Sequence, residues 1–366
     1  MKIGIVGLPN VGKTTLFNAL THAGAAATSY AFTSADPNVG VVPVPDPRLW
    51  RLHEALQTPK AVPATIDVVD IPGLADGASR GEGLGNAFLA VVRAVDAVVH
   101  VVRAFDDPDI AHVHEGIDPL ADVELVETEL VLSDLDIVER RATKTAKAAR
   151  GGDRQAQREV VIIESILESL RGGGLSRFVP RSADDTPLFR ELALVTERPV
   201  LFVLNISEEA ATEPDRLAPW ADFVTWAHER GDEVVAVPAK LEADLGELEP
   251  KEAAEFRAEL GVPPEGMDEL ITAAYRILGY ITFFTGDFRS SESRAWQLVQ
   301  GFTAREAAGR IHSDIQKGFV RAEVVPIDDL IACGSFHAAK EKGILRVEGK
   351  DYIVRDGDVI NFRHTA

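Results

Sequence analysis

Gly7-Leu8-Pro9-Asn10-Val11-Gly12-Lys13-Thr14 restricts this chain more than any other segment. It has the spacing Gly-x-x-x-x-Gly-Lys-Thr. Before it, Ile3-Gly4-Ile5-Val6 predicts a short buried strand; after it, Thr15-Leu16-Phe17-Asn18-Ala19-Leu20 predicts the opening turns of a helix. A strand that ends in a glycine loop and opens a helix aims backbone N–H groups and the positive end of the helix dipole at one point. A polyphosphate fits there. Lys13 is then placed for the β- and γ-phosphates and the Thr14 hydroxyl for Mg2+. Asn10, Val11, Gly12, Lys13, Thr14 and Thr15 are the expected phosphate-side contacts.

A phosphate loop of this kind implies an α/β sheet, and further short runs supply it. Ile66–Ile71, Ala97–Val102, Pro199–Leu204 and Val234–Pro238 are apolar and mostly β-branched, the pattern of strands buried on both faces of a mostly parallel sheet. At 366 residues the chain has room for two or three domains. No apolar run approaches the roughly 18 residues of a membrane span, and the sequence starts directly in a strand, so neither a membrane nor a secretory leader is expected. Cys333 is the only cysteine, which excludes an internal disulfide and fits a cytoplasmic setting. A net charge of -20 argues against a surface that coats nucleic acid, and no DNA partner is expected.

About a hundred residues without a strand signal separate the second and third of these runs, too many for an ordinary crossover. They are helical instead: Asp122 to Lys147, then Arg154 to Leu170, broken at Gly151-Gly152 and closed by Gly172-Gly173-Gly174. This predicts a helical hairpin inserted into the nucleotide-binding domain. Its charges are sorted. Asp122, Glu124, Glu127, Glu129, Asp134, Asp136 and Glu139 come first; Arg140, Arg141, Lys144, Lys147, Arg150, Arg154 and Arg158 follow, against Asp153. One reading is dipole compensation on a solvated face. The other is a basic tip that touches RNA, with Arg140, Lys144 and Lys147 on one helical face.

After Leu260 the composition changes. Pro263-Pro264-Glu265-Gly266 predicts a loop and Met267 to Leu278 a helix, and strands return from Ile281. Val347–Val354 reads as a hairpin, Arg355-Asp356-Gly357-Asp358 as a turn, Val359–Phe362 as a closing strand and Ala304 to Gln316 as a helix between strands. This is a small domain of β-grasp type.

Other signals refine the nucleotide reading. Asp70-Ile71-Pro72-Gly73 follows a strand: the carboxylate can hold Mg2+ through water and the Gly73 N–H can meet the γ-phosphate. Leu74 stands where many nucleotide hydrolases carry a water-orienting glutamine, so hydrolysis must use another group and be slow. His112 and His114 are the nearby titratable residues, each as readily a surface histidine as a water-positioning one. Phe32–Asn38 is placed as a switch offering a hydroxyl to Mg2+, and Gly81–Asn86 as a flexible run that moves with γ-phosphate loss. Asn205-Ile206-Ser207-Glu208 lies where the base is read. A guanine site would carry Lys and Asp where Ile206 and Glu208 stand, so guanine selectivity is expected to be lost, with the Asn205 amide suited to adenine. Asn205 would also serve as an ordinary helix cap.

Together these motifs resemble the Obg-like ATPase family, also called the YchF family, across the whole chain. The resemblance rests on Gly7 to Thr14, Asn38 to Arg48, Gly81 to Asn86, Asn205 with Glu208, and Lys317 to Val324. It implies an α/β P-loop NTPase G domain over 1-120 and 196-280, a helical hairpin over 121-195 and a C-terminal β-grasp (TGS) domain over 281-366. It implies a slow ATPase that associates with ribosomes, with Mg2+, and K+ as a further candidate, as cofactors. By that likeness Thr14 and Ser34 are the magnesium hydroxyls, with Asp70 as the nearby carboxylate. Ile206 contacts adenine through its backbone, Leu74 replaces the glutamine and His112 is the catalytic histidine beside Lys13 and Gly73. The ribosome contact is expected from Arg140, Lys144, Lys147, Arg154 and Arg158. The switch departs from the family pattern at Ala31, Thr33, Ser34, Ala35 and Asp36, and Pro72 replaces a usual alanine. Two rivals stand beside this reading: a GTPase that uses Glu208 as its carboxylate, and a non-catalytic nucleotide-sensing scaffold.

Overall fold

A computed structural model of the chain describes residues 2–25, 38–71, 84–112, 116–287 and 290–365. Its strands in chain order are β1 (Lys2–Val6), β2 (Val39–Pro43), β3 (Ala61–Val62), β4 (Thr65–Asp70), β5 (Ala97–Ala104), β6 (Val200–Ile206), β7 (Glu233–Val237), β8 (Tyr280–Thr285), β9 (Ser293–Val299), β10 (Phe319–Pro326), β11 (Arg346–Glu348) and β12 (Asp358–His364). The helices that matter most below are α1 (Lys13–Ala25), α2 (Pro47–Leu56), α3 (Leu84–Ala94), α4 (Pro119–Arg150) and α5 (Arg154–Arg171).

One sheet runs in the order β2-β4-β1-β5-β6-β7, and β1 pairs parallel with both β4 and β5, as β6 does with β5 and β7. The apolar runs read from sequence fall on these strands. β5 is buried along its whole length and β6 from Leu201 onward, as strands covered on both faces must be. The phosphate loop leaves the C-terminal end of β1 and opens α1, where crossover sheets place their ligands.

The hairpin is α4 and α5, longer at both ends of its first helix than the sequence pattern indicated. Asp118 caps α4 by accepting from Ala121 N at 3.1 Å, and Pro119 fills the first position, where no N–H is needed. Asp153 caps α5 by accepting from Gln155 N and Ala156 N. Val131, Val138, Ile163, Ile166 and Leu170 form its seam with Leu188, Phe189 and Leu194. Two acids of the charge-sorted run are not on a solvated face. Asp122 and Asp134 are 1% and 0% exposed. Asp134 accepts from Val195 N, Thr196 N and Thr196 Oγ1 at 3.1, 2.8 and 2.7 Å, tying the hairpin to the segment that enters β6.

The second sheet has the order β11-β10-β12-β8-β9-β3, with antiparallel pairing of β10 to β11 and β12, and of β8 to β9, and a parallel contact of β12 with β8. Phe283, Leu298, Val324 and Ile360 pack there with Ala304 and Ala307 of the helix Ala304–Ile311, a β-grasp core. The turn at Arg355–Asp358 forms as expected: Asp358 N donates to Arg355 O at 3.2 Å, with Gly357 at φ 83. The hairpin expected at 347–354 does not form. β11 pairs with β10 instead, and Ile353 makes a single bridge to Thr303. The helix expected over 304–316 is two, Ala304–Ile311 and Ser313–Lys317, because His312 is extended and caps the second through Asp314 N.

The chain divides into two compact units, Met1–Gly40 with Asp67–Leu270, and Val41–Ile66 with Ile271–Ala366. These limits differ from the 1-120/196-280, 121-195 and 281-366 division expected from sequence. The physical reason lies in the excursion 41–66. β3 pairs with β9, Arg48 bridges Asp46 and Asp356 at 2.8 and 2.5 Å, and Thr58 Oγ1 lies 2.9 Å from Ser293 Oγ. The chain thus leaves the first unit within β2 and returns within β4.

Candidate functional site

The loop between β1 and α1 is shaped by backbone that side chains would obstruct. Gly7 has φ 148, and a Cβ there would meet Val101 O at 2.4 Å. Gly12 has φ 97, and a Cβ there would stand 2.3 Å from Asn205 Nδ2. Asn10 also adopts a left-handed conformation, φ 62, which its short polar side chain tolerates better than most.

Lys13, 8% exposed, donates from Nζ to Leu8 O at 2.6 Å. Burial pulls its pKa down from 10.5 to about 8, and the Asp70 carboxylate works against that fall. Thr14 Oγ1 donates to Asp70 Oδ2 at 3.2 Å. Burial raises the Asp70 pKa, while the Thr14 hydrogen bond and the Lys13 charge lower it. Ammonium and hydroxyl, both at the head of α1, therefore face the carboxylate at the end of β4. A hydroxyl hydrogen-bonded to a carboxylate is an all-oxygen donor set, and it fits a hard cation such as Mg2+.

Asn205, at the end of β6, is 6% exposed and held at both ends of its amide. Nδ2 donates to Val11 O at 2.9 Å, and Oδ1 accepts from Ala239 N at 3.0 Å. It fastens the phosphate loop to the helix Ala239–Gly246, so much of its capacity is spent on main chain. Ser207, not Asn205, caps the short helix Glu208–Ala211, through Ala210 N.

Most of these groups line a cavity of about 670 Å³, with Asp70 behind Thr14 rather than among its lining residues. Asn10, Gly12, Lys13, Thr14 and Thr15 lie along it, as do Asn205, Ile206 and Glu208. Val11 is fully buried and contributes its carbonyl to Asn205 rather than a wall. Sequence reasoning missed a second wall: Phe105, Asp106, Asp107 and Ile110, with Pro238, Lys240 and Leu241. The 105–110 part of that wall is organised by Arg103. Its guanidinium, 3% exposed, donates to Phe105 O, Ile110 O and Asp107 O at 3.1, 2.9 and 3.0 Å and stacks 4.7 Å from the Phe105 ring centre. Only an arginine buried at the end of an apolar strand signalled it.

His112 is not among the cavity-lining residues. It lies just past Ala111, whose carbonyl accepts from Asn10 Nδ2 at 3.2 Å. Its Nε2 is 3.1 Å from Asp122 Oδ1 in the first turn of α4. Ser34, Gly73 and Leu74 lie outside the described residues, as do Thr33, Pro72, His114 and Gly81 to Gly83. Far along the hairpin, Arg140, Lys144, Lys147, Arg154 and Arg158 are exposed and form no ion pair among the described residues. Arg141 differs, bound to Glu159 and Glu191. Among the described residues no helix is long and apolar enough to cross a membrane.

Comparison with known proteins follows the same lines. A profile described as "50S ribosome-binding GTPase" matches residues 2–134, and the profile of the YchF GTPase C-terminal region, described as a protein of unknown function, matches 280–365. The chain is 46% identical over 360 residues to a Bacillus subtilis protein named ribosome-binding ATPase YchF, covering 98% of each. It is 44% identical to the Escherichia coli O157:H7 protein of that name, covering 99% of this chain and 98% of the other. The solved structure of the Schizosaccharomyces pombe YchF GTPase superposes with a TM-score of 0.86 at 34% identity, covering 99% of this chain and 97% of that one.

Proposed function

Because the chain belongs to the YchF family of P-loop nucleotide hydrolases, we propose that it binds ATP with Mg2+ at the Gly7–Thr14 loop, hydrolyses it slowly and associates with ribosomes in the cytoplasm. The observation that carries this reading is the cavity that joins the phosphate loop to Ile206 and Glu208.

The loop's N–H groups and the α1 dipole receive the phosphates. Lys13, withdrawn onto Leu8 O, exchanges that carbonyl for phosphate oxygens when a triphosphate arrives. The anion also stabilises the ammonium that burial disfavours. Thr14 and Asp70 would hold Mg2+, which when bound neutralises charge on the phosphates. The base falls toward Ile206 and Glu208. Glu208 projects from the first turn of its helix on a side chain one methylene longer than aspartate, and Ile206 offers no ammonium, so guanine loses its usual partners and adenine is accepted. His112 is the residue we assign to assisting hydrolysis. The exposed cations Arg140, Lys144, Lys147, Arg154 and Arg158, which form no ion pair among the described residues, are the surface we assign to ribosomal RNA, since phosphates supply such residues with counter-charge.

Phosphate release over many turnovers tests the assignment, with and without added ribosomes. The chain should turn over ATP, and Lys13→Ala should reduce kcat by at least about a hundredfold, as loss of one preorganised donor to a transferring group does. A rate no higher than that of Lys13→Ala, with ribosomes present, would leave a nucleotide-sensing scaffold as the better description.

A further inference from the structure

His112 ends a segment pinned at three places, and the last pin belongs to a different element from the first two. Arg103, at the end of β5, grips the carbonyls of Phe105, Asp107 and Ile110. Asn10, in the phosphate loop, grips the carbonyl of Ala111. The His112 ring itself is taken by Asp122, in the first turn of the hairpin helix α4, at 3.1 Å. The two side chains are 7% and 2% exposed, so the contact lies out of solvent, where a charge-assisted hydrogen bond is strong. A carboxylate can only accept, so Nε2 carries the proton that lies between the two groups. The ring so held is not among the groups that line the cavity.

We infer that Asp122 is a positioning residue for His112, and that the position it enforces is a resting one, with the imidazole drawn to the base of the hairpin and away from the cavity. This rests on the assignment of His112 to hydrolysis. The residue that withholds the histidine is carried by α4, and the same helix carries Arg140, Lys144 and Lys147 some five turns further on. A partner that grips the far end of α4 therefore acts on a rod whose first turn holds the histidine. Loading the hairpin loosens the Asp122 contact, and the histidine joins the cavity while Arg103 keeps the rest of the segment in place.

The test is Asp122→Asn, which keeps the shape of the side chain and removes its charge. Ribosome-free kcat should rise about tenfold, the effect of losing one charge-assisted hydrogen bond from the resting state. KM for ATP should be little changed, and further stimulation by ribosomes should shrink. In a His112→Ala background the same substitution should do nothing. A misfolded protein would not gain turnover, so a rise is not a by-product of damage. The inference is overturned if Asp122→Asn leaves kcat unchanged or lowers it, or raises it equally without the histidine. If His112→Ala alone leaves the ribosome-stimulated kcat at the parent value, the assignment of His112 itself has failed and the inference falls with it.

Discussion

At the scale of single residues, the loop stores an unfavourable state that the ligand relieves. A buried ammonium is costly, and the fall of the Lys13 pKa to about 8, against the pull of the Asp70 carboxylate, expresses that cost. Below about pH 8 the free protein already carries the charge that a triphosphate needs. Above it the lysine is neutral until the anion arrives, so binding must take up a proton. ATP affinity should therefore be flat from about pH 6.5 to 7.5 and weaken as pH rises through about 8, by at most about tenfold per unit. Titration calorimetry in two buffers of different ionisation enthalpy would register the proton uptake. Affinity that rises through this range would contradict the placement of Lys13 against the phosphates.

At the scale of elements, the hairpin has two ends with opposite chemistry. Its base is wedded to the nucleotide-binding unit through buried acids, Asp134 to Val195 and Thr196, and Asp122 to His112. Its tip holds cations that nothing in the described chain neutralises. Charge sorting along α4 does complement the helix dipole, but the dipole reaches only the last turn and leaves Arg140 and Lys144 unexplained. Replacing Arg140, Lys144 and Arg158 by Glu should abolish co-sedimentation with ribosomes and leave ribosome-free hydrolysis intact. Single neutral replacements should each lower the salt dependence of binding by about one unit of slope. Undiminished salt-sensitive binding of the triple variant would move the docking surface to the second unit.

At the scale of the whole molecule, what could be read from sequence was what is local or strictly periodic. Gly7 to Thr14 is contiguous, and the buried strands are unbroken β-branched runs, so the loop, the parallel sheet and the helical insertion were all legible. Clamps made across the chain were not. Asn205 and Val11 meet across 194 positions, and Arg103 does its work on carbonyls, which no side-chain pattern encodes. The excursion 41–66 escaped for a related reason. Its strand β3 is two residues long and carries no periodicity, and its allegiance to the C-terminal unit is fixed by Arg48 reaching Asp356. Asp122 and Asp134 looked like a solvated acidic face because a buried acid and an exposed one are the same letter.

A molecule of net charge -20 repels nucleotide and RNA alike on average, so both must be captured by local cationic sites, one at α1 and one on the hairpin. The claim on which the rest depends is that the first of these sites takes ATP. Parallel titrations of the intact protein with ATP and GTP, in Mg2+ at pH 7, test it most directly. ATP should bind the more tightly of the two, and Lys13→Ala should weaken ATP binding; equal or tighter binding of GTP would contradict the reading of Ile206 and Glu208 and return the chain to the guanine-specific class.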